Sequence, residues 1–236
     1  AYALPERLHP THWTGETAID FLRNYNREEP FFLKVSFARP HSPYDPPSRF
    51  MQMYEQTNIP KAFTGAWADR HAQRGMKLPP DTWRGDLGED QVRRSRRGYY
   101  GSVSFVDEEI GRILELLERS GRLENTLILF TADHGDMTGD HYLWRKTYAY
   151  EASARIPMLV RWPESLFSVK RGQVIRQPVE LRDVLPTFLD AAGVRVDPRI
   201  FDGRSLLDLV RGKVAGWREY VDLEHDVCYS RVNHWN

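Results

Sequence analysis

Two stretches of this sequence concentrate side chains that bind metals, hold anions and transfer protons. The richer one, residues 131–141, reads TADHGDMTGDH, and Lys146 follows it. Its ionisable members are Asp133, His134, Asp136, Asp140 and His141. Carboxylate oxygens and imidazole nitrogens together suit a divalent cation, and a lysine beside them can place a positive charge on an oxyanion. The alternative is a simple turn made by Asp and Gly, with the histidines in solvent.

The second stretch is rich in proline and carries His41. Residues 39–47 read RPHSPYDPP, and four prolines within eight residues exclude regular structure. His41 is therefore predicted to lie on a stiff loop, directly after an apolar run at residues 31–37 that is typical of a buried strand. His41 is thus a ligand-type side chain at the end of a predicted strand. The alternative is a loop histidine that caps a backbone group.

An alternation of helices and strands is predicted to position these loops. Helices are predicted at residues 17–25, with Thr14 as N-cap, and at residues 90–120, 181–192 and 205–210. Strands are predicted at residues 31–37, 126–131, 156–161, 173–176 and 220–223. This order indicates an α/β protein with a mainly parallel sheet, in which functional loops collect at the carboxyl ends of strands. Asp133 and His134 have that position, after a strand predicted to be covered on both faces.

The helix at residues 90–120 has the clearest pattern in the chain. Gly121 is predicted to end it. Arginines at residues 93–94 and 96–97 are predicted to form a solvated face, and residues 48–88 a surface excursion with short helical pieces. The predicted buried face of the helix consists of Tyr99, Val103, Val106, Ile110, Ile113, Leu114 and Leu117.

Composition excludes several classes of protein. The 236 residues include 33 basic and 33 acidic side chains, and this balance argues against binding nucleic acid by bulk electrostatics. With 41% hydrophobic residues the chain is typical of globular proteins. No apolar run approaches the ~18 residues of a membrane span. The single cysteine, Cys228, permits no internal disulfide. Because the chain begins with Ala1 rather than methionine, the lack of a signal peptide says nothing about export.

Several runs, in order along nearly the whole chain, resemble the type I sulfatases, the formylglycine-dependent members of the alkaline-phosphatase-like superfamily. The central resemblance is residues 131–141 followed by LWRK at 143–146 and YEASARIP at 150–157. Flanking runs that also resemble the family are PFFL at 30–33, PHSPY at 40–44, YYG at 99–101, DEEIG at 107–111, DVLPT at 183–187 and DGRSL at 202–206. The resemblance implies an α/β domain, here incomplete, with a mainly parallel sheet sandwiched by helices. Residues 1–216 would be the C-terminal portion of the catalytic domain, and residues 217–236 the start of a further segment.

The resemblance also implies roles for individual residues. Asp133 and His134 would bind a divalent metal, usually Ca²⁺ in this family. Lys146 would contact the sulfate, and His41 would bind the leaving-group side of the ester and assist proton transfer to the departing oxygen. His225 could reach the substrate, whereas Asp136, Asp140 and His141 are expected to be turn or supporting residues. The substrate would be a sulfated small molecule or carbohydrate, and bacterial relatives are often periplasmic or extracellular.

The family's nucleophile, a formylglycine made from Cys or Ser in a Cys/Ser-x-Pro-x-Arg motif, has no counterpart in these residues. Cys228 lacks the required proline, and the run DPPSR at 45–49 has Asp45 at the nucleophile position. The chain is therefore expected to be the rear part of a sulfatase and to be inactive alone. Two alternatives stay open: a phosphonate or phosphodiester hydrolase of the same superfamily, and a non-catalytic relative that has lost the nucleophile.

Overall fold

The computed structural model describes residues 1–79, 81–194, 197 and 199–223. His225 and Cys228 lie outside the described residues, as does most of the segment predicted to begin at residue 217. The chain forms two compact units, which are described separately. The first contains residues 1–123 and 134–155, and the second contains residues 124–133 and the residues from 156 onward.

The first unit is helical. Its helices are α1 (Pro10–Asn24), α2 (Ser48–Met53), α3 (Asp69–Ala72), α4 (Glu89–Arg119) and α5 (Glu151–Ala154), with 3₁₀ turns at Glu6–Leu8, Ala66–Ala68 and Asp140–Tyr142. The short pieces α2 and α3 confirm the excursion predicted for residues 48–88. Residues 31–37, predicted as a strand, form none. The run has the composition of a strand, but a strand also needs a partner for its ladder, and no described strand pairs with it.

The first helix begins earlier than its sequence predicts. The imidazole Nδ1 of His9 accepts a hydrogen bond from the Thr11 amide at 3.1 Å, and Pro10 takes the first helical position. The N-cap predicted at Thr14 is wrong, because the Thr14 hydroxyl lies inside the helix and donates to the carbonyl of Pro10. A buried imidazole therefore replaces the usual Ser, Thr, Asp or Asn cap.

The long helix α4 is confirmed, and so is its ending at Gly121. Gly121 has φ +68°, its amide donates to the carbonyl of Glu118, and the Arg122 amide donates to the carbonyl of Leu117. This pair of bonds is a Schellman motif, in which glycine takes the left-handed position without steric cost. The helix therefore stops where the sequence places its glycine.

The buried face of α4 differs from the predicted one in its middle turns. Ile113 and Leu117 are buried as predicted, but Val103 is 43% exposed. The deeper positions include Gly98 and Gly101, where a Cβ would press against the backbone of Tyr44 and the ring of Pro46 respectively. Small residues thus set this face, because they let the segment after His41 lie directly on the helix. The other buried positions in this region are Ser102, Phe105 and Glu109.

The second unit contains one described sheet of two strands, β1 (Ile128–Thr131) and β2 (Met158–Arg161). They pair antiparallel, with Phe130 opposite Leu159, so the predicted parallel arrangement does not hold for this pair. The residues between the strands contain the 3₁₀ turn Asp140–Tyr142 and the short α5, and not the long crossover helix that usually joins parallel strands. Phe130 is 40% and Leu159 is 59% exposed, so the predicted cover on both faces is wrong within the described residues. The strands predicted at residues 173–176 and 220–223 are not formed.

The helices α6 (Val184–Ala191) and α7 (Leu206–Val210) complete the second unit and confirm the two helices predicted there. A 3₁₀ turn at Leu181–Asp183 precedes α6, and Ser205 caps α7 by accepting a bond from the Leu207 amide. No helix within the described part of the chain is both long enough and apolar enough to cross a membrane.

A buried carboxylate holds these two helices. Asp183 is fully buried and forms a two-pronged ion pair with Arg218, at 2.6 and 2.7 Å. It also accepts hydrogen bonds from the amides of Glu180 and Arg204. At Gly203, a Cβ would collide with the carbonyl of Arg182. The resemblance at residues 183–187 and 202–206 therefore corresponds to a structural lock around one carboxylate.

Replacing this carboxylate is expected to destabilise the unit. The substitution Asp183→Asn should lower the free energy of unfolding by roughly 3–5 kcal/mol, because a mostly buried guanidinium loses its two-pronged partner. Urea unfolding followed by circular dichroism measures the change. The matched control is Asp202→Asn, since the Asp202 side chain is 83% exposed and lies 3.8 Å from Arg182. It should change stability by less than about 0.5 kcal/mol, and equal losses in the two variants would contradict the proposed lock.

Candidate functional site

The structure brings His41 and Lys146 into direct contact, although 105 positions separate them in the sequence. The Nζ atom of Lys146 lies 2.6 Å from Nε2 of His41. The other ring nitrogen, Nδ1, lies 2.8 Å from the carbonyl oxygen of Ser42. A carbonyl oxygen can only accept, so Nδ1 carries a proton and Nε2 presents its lone pair to the lysine. The pair therefore joins a cationic donor to a proton acceptor.

His134 lies beside this pair. Its ring centroid is 5.9 Å from that of His41, in an edge-on arrangement. Nδ1 of His134 donates to the carbonyl of Gly135 at 2.7 Å, which directs its Nε2 lone pair away from its own backbone. At Gly135 a Cβ would overlap the carbonyl of Ala152, so only glycine allows this close approach. His41 therefore contacts both Lys146 and His134, so that two imidazoles and one ammonium group lie together in the first unit.

Asp136 connects the two loops that carry these groups. One of its oxygens, Oδ2, accepts from the Tyr44 hydroxyl at 2.8 Å. The other, Oδ1, accepts from the amides of Thr138 and Arg145, at 2.9 and 3.1 Å. Burial, reinforced by this carboxylate, raises the pKa of Tyr44 above its ordinary value. The phenol therefore stays protonated and keeps donating at neutral pH.

The backbone of the Lys146 loop is held in an unusual conformation. Non-glycine residues with positive φ occur at Thr138, His141, Tyr142, Arg145 and Thr147, with values from 42° to 79°. Each such residue is strained relative to the right-handed region, and such positions cluster at functional sites. The surrounding structure compensates: the Met137 amide donates to the carbonyl of Arg145, and the Trp144 amide to that of Trp83.

Trp83, which sequence reasoning did not single out, lies against both basic residues of the loop. Lys146 Nζ is 5.8 Å and Arg145 Cζ is 5.1 Å from the centroid of the indole ring. A cation over an aromatic face is attracted by the ring quadrupole. The only sequence signal was a tryptophan in the excursion at residues 48–88, which gives no hint of its partners.

The arginine run at the start of α4 differs from its prediction. Arg93 and Arg94 are exposed as expected, but Arg96 is buried. Its guanidinium bonds to the carbonyls of Thr138, Pro60 and Lys61 and forms an ion pair with Asp140 at 2.6 Å. The prediction of a solvated face is therefore wrong for Arg96, which follows Val92 at helical spacing and points inward. Asp140 has the supporting role that was predicted for it.

The segment at 45–49 that imitates a nucleophile motif has an ordinary structural role. Asp45 accepts from the Nε atom of Arg39 at 2.7 Å, and Ser48 begins α2. Neither position forms part of the His41–Lys146 contact. These contacts agree with the prediction that residues 45–49 only resemble the nucleophile motif and do not supply a nucleophile.

The donor set for a metal is small in the part of the chain that the structure describes. No group of three or more His, Cys, Asp and Glu side chains there is arranged to hold an ion. The predicted ligands, Asp133 and His134, are consecutive residues and supply two side chains, whereas Ca²⁺ takes about six to eight oxygen ligands. The described residues therefore do not by themselves fit calcium.

Comparison of the sequence with known proteins identifies its family. The sequence matches the family described as Sulfatase over residues 11–194. It is 41% identical to an arylsulfatase from Clostridium perfringens over 220 residues, which cover 93% of this chain and 46% of the relative. It is 38% identical to a choline-sulfatase from Rhizobium meliloti over 189 residues, which cover 78% and 36% of the two chains. The chain belongs to the sulfatase family.

The fold shows the same relationship. A solved phosphonate monoester hydrolase from Silicibacter pomeroyi superimposes with a TM-score of 0.76 and 29% identity, covering 91% of this chain and 44% of that one. The predicted alkaline-phosphatase-like α/β class, as an incomplete domain, is thereby confirmed. The chain spans less than half the length of these three proteins.

Removing the Asp136 carboxylate is expected to loosen the Lys146 loop. The substitution Asp136→Ala leaves two backbone amides and the Tyr44 hydroxyl without their acceptor, at a cost of about 1–3 kcal/mol. The measurement is hydrogen exchange at the Arg145 amide, which should become at least about tenfold faster. Asp86→Ala is the control, because Asp86 is exposed and accepts from the Gly88 amide. Unchanged exchange at Arg145 in Asp136→Ala would show that the loop does not depend on this carboxylate.

Proposed function

We propose that this chain supplies sulfate-contacting and proton-transferring residues of a sulfuric ester hydrolase. The observation that carries the proposal is the hydrogen bond between Lys146 and His41 in a chain of the sulfatase family. A lysine ammonium group has three N–H donors. It can therefore keep its bond to His41 Nε2 and still donate to an oxygen of a bound sulfate group. The positive charge stabilises the negative charge on the sulfuryl oxygens.

His41 is proposed to protonate the departing oxygen of the ester. Transfer of a proton from the Lys146 ammonium group to Nε2 gives an imidazolium and a neutral amine, the imidazolium donates that proton to the departing oxygen, and the amine regains its proton and charge from water before the next ester binds. The Nδ1–H group of His41 keeps donating to the Ser42 carbonyl throughout and fixes the ring orientation. An alcohol leaves far more readily than its alkoxide, so a proton donor at this position accelerates departure.

The nucleophile and some of the metal ligands are proposed to come from residues outside these 236. No Cys/Ser-x-Pro-x-Arg motif occurs in the 236 residues, so we propose that this chain alone does not turn over a sulfate ester. Asp133 and His134 are proposed as two ligands of a divalent cation, with further ligands from elsewhere. Such an ion, when bound, would polarise the sulfuryl oxygens.

The first test measures anion binding rather than turnover. Calorimetric titration of the chain with inorganic sulfate should show binding, and Lys146→Met should weaken it about tenfold or more, because a charge-assisted bond is lost. Lys77→Met is the matched control, since Lys77 is an exposed lysine of the same unit, and it should leave the affinity unchanged. Equal affinities in the two variants would refute the assignment of Lys146.

The same titration separates the alternatives. The similarity to a phosphonate monoester hydrolase makes methylphosphonate the natural competitor. Tighter binding of sulfate than of methylphosphonate supports the sulfatase function, and the reverse order supports the phosphonate hydrolase. Absence of binding for both anions favours a non-catalytic relative. Hydrolysis of p-nitrophenyl sulfate by the chain alone would overturn the proposed dependence on another segment.

Metal binding has its own test. In a longer protein that contains this chain together with the proposed further ligands, addition of 1 mM Ca²⁺ after treatment with a chelator is expected to raise the melting temperature, because an ion that binds the native state stabilises it (on the order of 1 kcal/mol or more once the concentration exceeds a few times Kd). This chain alone, which supplies two of the ligands, should show no such rise. Asp133→Asn should remove the increase, whereas Asp81→Asn, at an exposed aspartate, should keep it. A calcium effect that survives in Asp133→Asn would exclude Asp133 as a ligand.

A further inference from the structure

Four rings form a continuous cluster next to the Lys146 loop, which we name the ring platform: Phe63, Trp67, His141 and Tyr150. The Trp67 ring is stacked on that of Tyr150, with centroids 5.6 Å apart and an angle of 17° between planes. The His141 ring lies 4.6 Å from Trp67 and 5.1 Å from Tyr150. Phe63 meets His141 edge-on at 5.3 Å. Such offset and edge-on pairs are the favoured arrangements of aromatic rings.

Backbone hydrogen bonds fix the platform in place. The His141 amide donates to the carbonyl of Phe63 at 2.7 Å, and the Gly65 amide donates to Nδ1 of His141 at 3.1 Å. The Phe63 amide donates to Oδ1 of Asp140, the same oxygen that pairs with Arg96. His141 itself is buried and has φ +56°. The segment 63–67 is therefore attached at three points to the strained loop.

The outer part of the platform is open to solvent. Phe63 is 70% and Trp67 is 43% exposed, while His141 is 9% exposed. Single exposed apolar residues are ordinary, but two large exposed rings that both pack on one buried, strained histidine are not. An exposed ring that is already held in one orientation loses little conformational entropy when a second ring packs on it. The platform therefore has the properties of a preformed surface for a flat ligand.

The platform is linked to Lys146 by a short stretch of chain. Tyr150 lies four residues after Lys146 in the sequence. Four residues of chain span at most about 14 Å, so the two Cα atoms lie within that distance. Tyr150 and Tyr148 both pack at the apolar cluster of Met137 and Leu143, which holds this stretch in place. One member of the platform is thus held near the lysine proposed to contact sulfate, and this is the basis for assigning both to one ligand.

We infer that the ring platform binds the organic group of the ester, by stacking against a flat apolar ring face. The shared chemistry is the π face of an aryl group or the C–H face of a pyranose ring, either of which packs on an exposed indole. This inference rests on the proposed function, because it places the organic group beside the sulfate contacts. The Arg70 guanidinium lies over the Trp67 ring, with Cζ 5.7 Å from the ring centroid, and adds a positive charge to the platform.

The test compares ligands with and without a ring. Calorimetry on the full chain uses p-nitrophenyl sulfate, glucose 6-sulfate and inorganic sulfate. Trp67→Ala is expected to weaken at least one of the two ring-bearing esters about tenfold and to leave inorganic sulfate unchanged. Phe63→Ser, at a largely exposed position where folding is safe, should weaken the same ester severalfold. The control is Trp13→Ala, since Trp13 is a 66% exposed tryptophan on α1, outside the platform.

The outcomes separate this inference from the proposed function. The two esters distinguish an aryl from a pyranose ligand by which of them responds to Trp67→Ala. If neither responds, or if Trp13→Ala has the same effect, the platform is not a binding surface. If inorganic sulfate fails to bind, the proposed function fails, and the platform is then judged with p-nitrophenol and methyl glucoside. Loss of their binding in Trp67→Ala supports the inference, and unchanged or undetectable binding overturns it.

Discussion

One carboxylate, that of Asp136, holds together the two loops on which the candidate site depends. Its three hydrogen bonds join the Tyr44 hydroxyl on the proline-rich segment to two amides of the Lys146 loop. The Lys146 loop contains several residues in the left-handed region, and each of these costs free energy that local contacts must offset. Without a common acceptor, the loop could relax and carry Lys146 away from His41. The His41–Lys146 contact is thus a consequence of a bond network centred two residues from His134.

A buried cation performs the same task on the other side of the loop. The guanidinium of Arg96 donates hydrogen bonds to the carbonyls of residues 60, 61 and 138 and forms an ion pair with Asp140. Burying a charge is costly unless it is paired and hydrogen-bonded, and a guanidinium, with five donors in a fixed plane, can meet several acceptors at once. A lysine in its place would offer a point charge without this geometry. The long helix α4 therefore positions both the excursion and the loop through one side chain.

The sequence predicts most of what depends on local chemistry. The ends of α4, the short helix near residues 205–210 and the presence of Asp133, His134, Lys146 and His41 in two loops all follow from short-range patterns. Contacts between distant positions could not be predicted, because nothing near Tyr44 in the sequence identifies Asp136 as its partner, and nothing near Asp183 identifies Arg218. The predicted face of α4 failed for a related reason: an apolar pattern does not show that two glycines allow a closer approach than valine. Strands were overpredicted, since strand composition is local whereas strand pairing is not.

The choice of lysine at residue 146 has a chemical reason within the proposed function. A neutral His41 presents one lone pair, and a bound oxyanion presents several, so the group between them must donate in more than one direction. The ammonium group of Lys146 has three donors on one rotating bond, which lets it serve both acceptors from one position. A second imidazole could not do so, since a neutral ring has one N–H. Because Trp83 also faces the lysine, the ammonium group is attracted to a ring that accepts no proton. In the proposed function, anion binding and proton delivery are therefore coupled through a single side chain, and the bond to His41 determines which atom receives the proton.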